Sequence, residues 1–172
     1  MSIVFKPLEQ TEQSDFRSDV KRIFSIAVIE TFGKPEKDDD IISDDIVNES
    51  LQNPLCEAFS LYDGAEKIGG VVLKIDRETW HNEAEILYIY PEKHSKGLGL
   101  KVWQAIEQKY PQTKVWRLIT PYFEKRNIHF YVNKCGFKIV EFFNKLHRHP
   151  EWNSNAMDFH DEFFVFEKVM RL

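Results

Sequence analysis

The amino-acid sequence predicts an α+β fold in which helices flank a mixed, mostly antiparallel sheet of about seven strands. Most strand-like segments follow one another closely enough to be joined by hairpins, as at the turn Asp63-Gly64. Helical segments interrupt the strands at only a few points, unlike the strict alternation of a doubly wound fold. With 172 residues, of which 42% are hydrophobic and 14% aromatic, the chain can bury a substantial core. We therefore expect a single domain over residues 1–172.

The N-terminal part of the chain is predicted to contain one strand and two helices. Ile3 to Leu8 has the pattern of a strand, and apolar residues recur at helical spacing from about Thr11 to Phe32. Residues 36–49 carry seven acidic residues against one lysine, which predicts an exposed loop leading into a second, short helix. The alternative is that this acidic stretch attracts a cationic amine.

The rest of the chain is predicted to mix strands and helices and to end in two strands. The elements in order are the hairpin EAFSLYDG and EKIGGVVLKID, a strand over Ala84 to Tyr90, a helix over Gly97 to Tyr110, a strand over Lys114 to Thr120, a helix over Glu124 to Lys134, and the Phe-rich strands FKIVEFF and EFFVFEKVM. Pro111 ends the first of these helices, and Gly136 is a C-cap for the second. Trp152 and Phe159, in the polar loop before the last strand, either close over a substrate or pack at a homodimer contact.

Composition and charge exclude several classes of function. The formal net charge of -5 disfavours nucleic-acid binding, which needs a concentrated basic surface. The N-terminus lacks the pattern of a signal peptide and no apolar run approaches the ~20 residues needed to span a bilayer, so we expect a cytoplasmic protein without membrane attachment. Cys56 and Cys135 form no CxxC pair and are expected to be reduced. His147, His149 and His160 do not complete a zinc-binding pattern, and no metal is expected.

A short glycine-containing loop, His94-Ser95-Lys96-Gly97-Leu98-Gly99, separates a predicted strand from a predicted helix. The first backbone N–H groups of a helix have no partner within the helix and lie at the positive end of its dipole, which suits a phosphate. Lys93, Lys96 and Lys101 add positive charge around the same turn. The loop lacks both the GxxxxGK pattern of a nucleoside-triphosphate site and the third glycine of a dinucleotide site. Taken alone, two glycines before a helix more often form an ordinary connecting loop.

Two separated motifs resemble those of the GNAT family of N-acetyltransferases. The first is Ile89-x-Pro91 followed by HSKGLG, which is similar to the acetyl-CoA signature of that family. The second is the segment NIHFYVNKCGF, which carries Tyr131 and ends in Gly136-Phe137. His94 stands where the family usually has Arg or Gln. Tyr131 lies five residues before Gly136, where four is commoner, and one extra residue in an α-helix turns a side chain by about 100°.

The resemblance implies the fold and the binding mode of acetyl-CoA as co-substrate. The strand ending at Tyr90 would splay from the strand Lys114 to Thr120, and pantetheine would lie in the gap. Backbone groups near Ile89 would pair with its amides, and the backbone N–H groups of Leu98 to Leu100 would hold the pyrophosphate. The cofactor contacts implied in this way are Ile89, His94, Ser95, Lys96, Gly97, Leu98, Gly99, Leu100, Lys101 and Asn127.

Acetyl transfer to an amine requires a base or a proton-accepting water, because an alkyl amine with a pKa of ~10.4 is mostly protonated at neutral pH. We expect Glu85 to be that base, because strand alternation would place it on the same face as Leu87 and Ile89, where apolar neighbours raise a carboxyl pKa. Glu83 shares that parity and is the substitute, and a solvated strand-end carboxylate is the alternative for either. Tyr131 is expected to donate a proton to the departing thiolate, with a packed aromatic as its alternative.

These inferences point to an acetyl-CoA-dependent N-acetyltransferase in which a primary amine attacks the thioester directly in a ternary complex. The acceptor would be a small-molecule or peptide amine. One alternative is a non-catalytic acyl-CoA-binding sensor or scaffold with the same fold, and another is an enzyme that uses a longer acyl-CoA.

Overall fold

The computed structural model describes residues 2–34, 43–94, 97–151 and 162–171, which form seven strands and four α-helices. The strands are β1 Ile3–Pro7, β2 Cys56–Asp63, β3 Glu66–Lys74, β4 His81–Ile89, β5 Val115–Pro121, β6 Lys138–Phe143 and β7 Phe163–Val169. The helices are α1 Gln13–Phe32, α2 Asp44–Gln52, α3 Leu98–Lys109 and α4 Lys125–His129, the last continuing into a π-helical turn over Phe130–Lys134. The predicted elements are thus confirmed, with ends that differ by up to three residues.

All seven strands belong to one sheet, in the order β1-β2-β3-β4-β5-β7-β6. Every neighbouring pair is antiparallel except β4 and β5, which are parallel. The last strand, β7, lies between β5 and β6 and pairs with both. This mostly antiparallel sheet with flanking helices confirms the predicted fold class.

The parallel pair β4 and β5 is joined at one end and open at the other. The two strands are paired at three positions, from His81 opposite Val115 to Glu83 opposite Arg117. Beyond Glu83, β4 continues to Ile89 without a partner in β5. The buried side chain of Asn82 fixes the joined end, because it donates to Thr113 Oγ1 at 2.8 Å and accepts from the backbone N–H of Asp76 at 2.9 Å. The predicted splay is therefore present as a wedge-shaped gap.

Helices cover the sheet on both faces and define two apolar layers. On one face, α3 and α4 pack on a core centred on Trp103, whose ring is 5.4 Å from that of Trp116 on β5. On the other face, α1 and α2 pack through Phe16, Val20 and Val47 against Val72, Ile86 and Tyr88. No helix among the described residues is both long and apolar enough to cross a membrane.

Candidate active site

The glycine-containing loop leads into α3 through a left-handed residue. Gly97 has φ +85°, a conformation that favours glycine, and a Cβ built there would meet nothing within 4 Å. The first backbone bond of the helix runs from the N–H of Lys101 to the oxygen of Gly97, at 2.9 Å. The N–H groups of Leu98, Gly99 and Leu100 precede it and have no helical partner. Two of the predicted contacts, Ser95 and Lys96, lie outside the described residues.

The positive charge expected around this loop is partly neutralised within the protein. Lys93 forms an ion pair with Glu66, and Lys101 forms one with Asp63 at 3.3 Å. Both carboxylates belong to the hairpin of β2 and β3, so these pairs fasten the loop and α3 to that hairpin. Lys93 and Lys101 lie around this turn as predicted, but each is paired with a carboxylate of another hairpin, which sequence proximity does not reveal.

The free edge of β4 presents backbone groups to the gap. The N–H of Tyr90 donates to Ile68 O at 2.8 Å, so the backbone polar groups of Tyr90 face β3. Tyr88 O also faces β3, since a Cβ on Gly69 would come within 2.0 Å of it. Backbone direction alternates along a strand, and the N–H and C=O groups of Leu87 and Ile89 therefore point toward β5 and the gap.

His94 and Arg126 meet across the open mouth of the gap. Nε2 of His94 lies 3.0 Å from Ile89 O, and Nδ1 lies 3.0 Å from a terminal nitrogen of Arg126 in α4. His94, a predicted cofactor contact, thus binds protein groups on both sides. Arg126 was not predicted, because a lone arginine in an amphipathic helix carries no sequence signal of its own.

A half-buried carboxylate begins α4 on the β5 side of the gap. Glu124 accepts a hydrogen bond from Nδ2 of Asn127 at 2.7 Å. Burial raises the pKa of Glu124 above its ordinary value, and the hydrogen bond from Asn127 opposes that shift. Asn127, a predicted cofactor contact, is thus hydrogen-bonded to Glu124. Glu124 was not predicted from the sequence, because a glutamate before a helix is common at the surface.

Glu85 is the extra residue of a β-bulge where the gap begins. In the pairing with β3, Leu73 lies opposite Ala84 and Val72 lies opposite Ile86, so Glu85 has no partner. A bulge shifts the alternation of a strand by one residue. Leu87 and Ile89 accordingly pack on the α3 side, whereas Glu85 reaches Ser50 of α2 on the other. The prediction that Glu85 shares a face with Leu87 and Ile89 is therefore wrong.

The bulge places the Glu85 carboxylate in a small polar cluster. Ser50 Oγ donates to it at 3.4 Å, and Lys74 lies directly opposite Glu83 on β3. Glu85 is exposed as a residue, yet protein atoms surround its carboxyl group enough that burial is the main cause of a raised pKa. The charge of Glu83 and a hydrogen bond with it raise the pKa of Glu85 further, and Lys74 and Ser50 oppose the shift.

Tyr131 lies inside the aromatic core on the α3 side, with 8% of its surface exposed. Its ring centroid is 5.1 Å from that of Phe130 and 5.6 Å from that of Phe137, with Trp103 packed edge-on at 6.4 Å. Burial raises the pKa of the Tyr131 hydroxyl, and the neighbouring ionisable groups of Cys135 and Glu124 act in the same direction. The phenol therefore stays protonated, as a proton donor must, while its ring is also a packing residue.

A π-helical turn accommodates the extra residue between Tyr131 and Gly136. The N–H of Cys135 donates to Phe130 O at 3.0 Å, which is the i to i−5 bond of a π-turn. The N–H of Phe137 then donates to Tyr131 O at 2.9 Å, and Gly136 ends the helix with φ +84°. A π-turn holds one more residue than an α-turn, so the insertion leaves Tyr131 in the core instead of rotating it toward solvent.

The two cysteines are free and unactivated. Burial raises the pKa of Cys135 to about 12, and burial together with the charge of Glu85 raises the pKa of Cys56 to about 11. Thiols with such pKa values remain protonated at neutral pH and are poor nucleophiles. Neither cysteine is therefore suited to hold a covalent acyl intermediate.

The remaining predicted residues lie at the far end of the sheet or outside the described part. His147 contacts Glu141 at 2.8 Å and stacks on Phe143. Residues 36–42 of the acidic stretch, together with Trp152, Phe159 and His160, lie outside the described residues. In the part that is described, no group of three or more His, Cys, Asp or Glu side chains has the arrangement of a metal site.

Comparison with known proteins places this arrangement in a family. The model of the acetyltransferase (GNAT) family matches residues 14–137. The uncharacterized protein YrkN of Bacillus subtilis (strain 168) is 42% identical over 175 aligned positions, covering 98% of this chain and 94% of that protein.

Solved structures share the fold at low sequence identity. A Bacillus subtilis acetyltransferase in complex with CoA has a TM-score of 0.64 at 19% identity, covering 99% of both chains. The ribosomal-protein-S18-alanine N-acetyltransferase from Escherichia coli has a TM-score of 0.65 at 10% identity, covering 99% of this chain and 95% of that one. The spermidine N-acetyltransferase from Vibrio cholerae, in complex with CoA and spermine, has a TM-score of 0.64 at 14% identity, covering 98% and 95%. With the family model matching most of its length, the chain belongs to the acetyltransferase (GNAT) family.

Proposed function

We propose that the protein is an acetyl-CoA-dependent N-acetyltransferase that moves an acetyl group to a primary amine by direct attack in a ternary complex. The observation that carries this proposal is the gap between β4 and β5. It has backbone groups without a strand partner along one edge, the N-terminus of α3 at its mouth and a carboxylate with a raised pKa where it begins. Membership of the acetyltransferase (GNAT) family supports acetyl-CoA as the acetyl donor.

The residues of the gap suit the parts of acetyl-CoA. The N–H groups of Leu98, Gly99 and Leu100, which have no partner within the helix, would bind the pyrophosphate. The backbone groups of Leu87 and Ile89 would pair with the amides of pantetheine, as an added strand would. The thioester would then lie toward the joined end of the gap, near Glu85.

Glu85 is the proposed general base. It would accept a proton from the acceptor nitrogen as that nitrogen attacks the thioester carbonyl carbon. Its raised pKa brings its basicity closer to neutral pH, and its place on the α2 side leaves the α3 side for the cofactor. Glu83, which is hydrogen-bonded to it, remains the substitute.

Tyr131 is the proposed acid. As the carbon–sulfur bond breaks, the thiolate of CoA takes a proton, and the Tyr131 hydroxyl would supply it and recover it from solvent. The high pKa values of both cysteines support direct transfer in place of a covalent intermediate.

The proposal is tested by CoA thiol release with acetyl-CoA and a panel of amines comprising amino acids, diamines, polyamines and peptide N-termini. Amine-dependent release together with an acetylated product by mass spectrometry is the expected result. Tight binding of CoA without amine-dependent release would instead identify an acyl-CoA sensor. Parallel reactions with propionyl- and succinyl-CoA test the choice of acyl chain.

A further inference from the structure

The described cations near the mouth of the gap are not equally available to a phosphate. Lys93 and Lys101 are each engaged by a carboxylate of the β2 and β3 hairpin. Lys125 is directed away, with its ammonium nitrogen 3.2 Å from the centroid of the Tyr122 ring. Arg126 is exposed, and its guanidinium contacts the acceptor nitrogen of His94 at 3.0 Å. Its guanidinium is therefore the cation at the mouth that is not already opposed by a negative charge in the described structure.

The two hydrogen bonds of His94 show which of its ring nitrogens carries the proton. A guanidinium can only donate, so Nδ1 of His94 accepts from Arg126. Nε2 then carries the ring proton and donates to Ile89 O at 3.0 Å. The imidazole thus bridges α4 and β4 and occupies a backbone oxygen that points into the gap.

We propose that Arg126 is a ligand of the CoA pyrophosphate, and that His94 is a displaceable bridge which holds Arg126 at the mouth and covers Ile89 O until the cofactor enters. This inference rests on the proposed function, because it concerns the same cofactor site. It assigns the charged contact to α4 instead of to position 94.

The chemistry of the two side chains favours this division. Arginine is always charged, and its planar donors match phosphate oxygens in a bidentate way. A neutral imidazole offers one donor, and here Ile89 O already takes it. Both hydrogen bonds of the bridge are exposed, and such bonds contribute little net stability. Once a phosphate holds Arg126, His94 loses its partner at Nδ1, and Ile89 O becomes free for an amide of pantetheine.

The test compares the binding of three ligands by calorimetry. CoA and dephospho-CoA both contain the pyrophosphate, whereas pantetheine contains no phosphate. The variants are Arg126→Met, His94→Ala and, as the matched control from the same exposed turn of α4, Lys125→Met. Thermal melts of each variant check that the fold is intact.

For Arg126→Met we expect Kd for CoA and dephospho-CoA to rise about 10- to 100-fold, the range for a lost charge-assisted contact, with pantetheine unchanged. Lys125→Met should stay within about twofold of the wild type for all three ligands. His94→Ala should bind CoA as tightly as the wild type or up to about fivefold more tightly, because Ile89 O is released.

Three results would overturn the inference. The first is an unchanged Kd for all three ligands in Arg126→Met. The second is a loss of affinity in Arg126→Met that is confined to CoA, which would assign Arg126 to the 3′-phosphate. The third is a loss of CoA affinity of tenfold or more in His94→Ala, which would make His94 the ligand. A wild-type chain that binds none of the three ligands would overturn the proposed function itself, and the inference with it.

Discussion

Replacement of Glu85 by glutamine removes the proposed base and keeps the size and hydrogen-bonding ability of the side chain. If Glu85 accepts the amine proton, kcat/KM at neutral pH should fall by about 10²- to 10⁴-fold, the usual contribution of general-base catalysis. The affinity for CoA should not change, because Glu85 lies on the α2 side of the sheet. Thiol release with an amine from the active panel measures the first quantity, and calorimetry measures the second.

The same substitution should stabilise the fold. The folded-state pKa of Glu85 is raised, so the folded chain keeps a proton that the unfolded chain releases. Stability is therefore lost as pH rises from the ordinary carboxyl pKa through the raised one, and it stays lower above that window. Because Glu85 is solvent-exposed and the repulsion from Glu83 is screened, removing the charge should add only about 0.2–1 kcal/mol to the free energy of unfolding at pH 7. Urea denaturation at pH 7 measures this gain.

Substitution of two neighbours of Glu85 should shift its pKa in opposite directions and so provides two controls. Glu83 raises the pKa of Glu85 and Lys74 lowers it. The rise of kcat/KM with pH, which follows ionisation of the base, should move to lower pH in Glu83→Gln and to higher pH in Lys74→Met.

An activity of Glu85→Gln within threefold of the wild type, with an unchanged pH profile, would refute the assignment. A large loss in Glu83→Gln with little loss in Glu85→Gln would transfer the role to Glu83.

Three further predictions concern the core and α4. Tyr131→Phe should lower kcat by about 10²-fold or more while changing the free energy of unfolding by less than about 1 kcal/mol, because the ring still packs. Steady-state kinetics and urea denaturation separate the two roles, and an unchanged kcat would show that Tyr131 is only a packing residue. Gly70→Ala should destabilise the protein by about 1–3 kcal/mol, since the Cβ of an alanine at this position would lie 2.7 Å from side-chain atoms of both Phe16 and Tyr88. A urea denaturation midpoint equal to that of the wild type would contradict this packing. Deletion of the exposed Asn133 should convert the π-turn into α-helix, and the free energy of unfolding should stay the same or increase. Loss of the folded structure in circular dichroism would show that the wider turn is required.

The elements were predictable where local chemistry decides them. The turn at Asp63-Gly64 and the helix stop at Gly136 each depend on residues adjacent in sequence, and Gly64 and Gly136 indeed have positive φ. The face of Glu85 was not predictable, because the bulge exists only in the pairing of β4 with β3. Lys101 shows the same limit, since it forms an ion pair with Asp63, 38 positions earlier in the chain.

The sequence by itself determined the fold class, the family and the position of the glycine-containing loop, because these follow from local periodicity and from two short motifs. The tertiary structure decided which groups face the gap. Strand pairing turned Glu85 toward α2, the β2 and β3 hairpin engaged Lys93 and Lys101, and the start of α4 brought Arg126 to His94. Each of these outcomes depends on contacts between segments far apart in the chain, and the spacing of residues in the sequence does not predict such contacts.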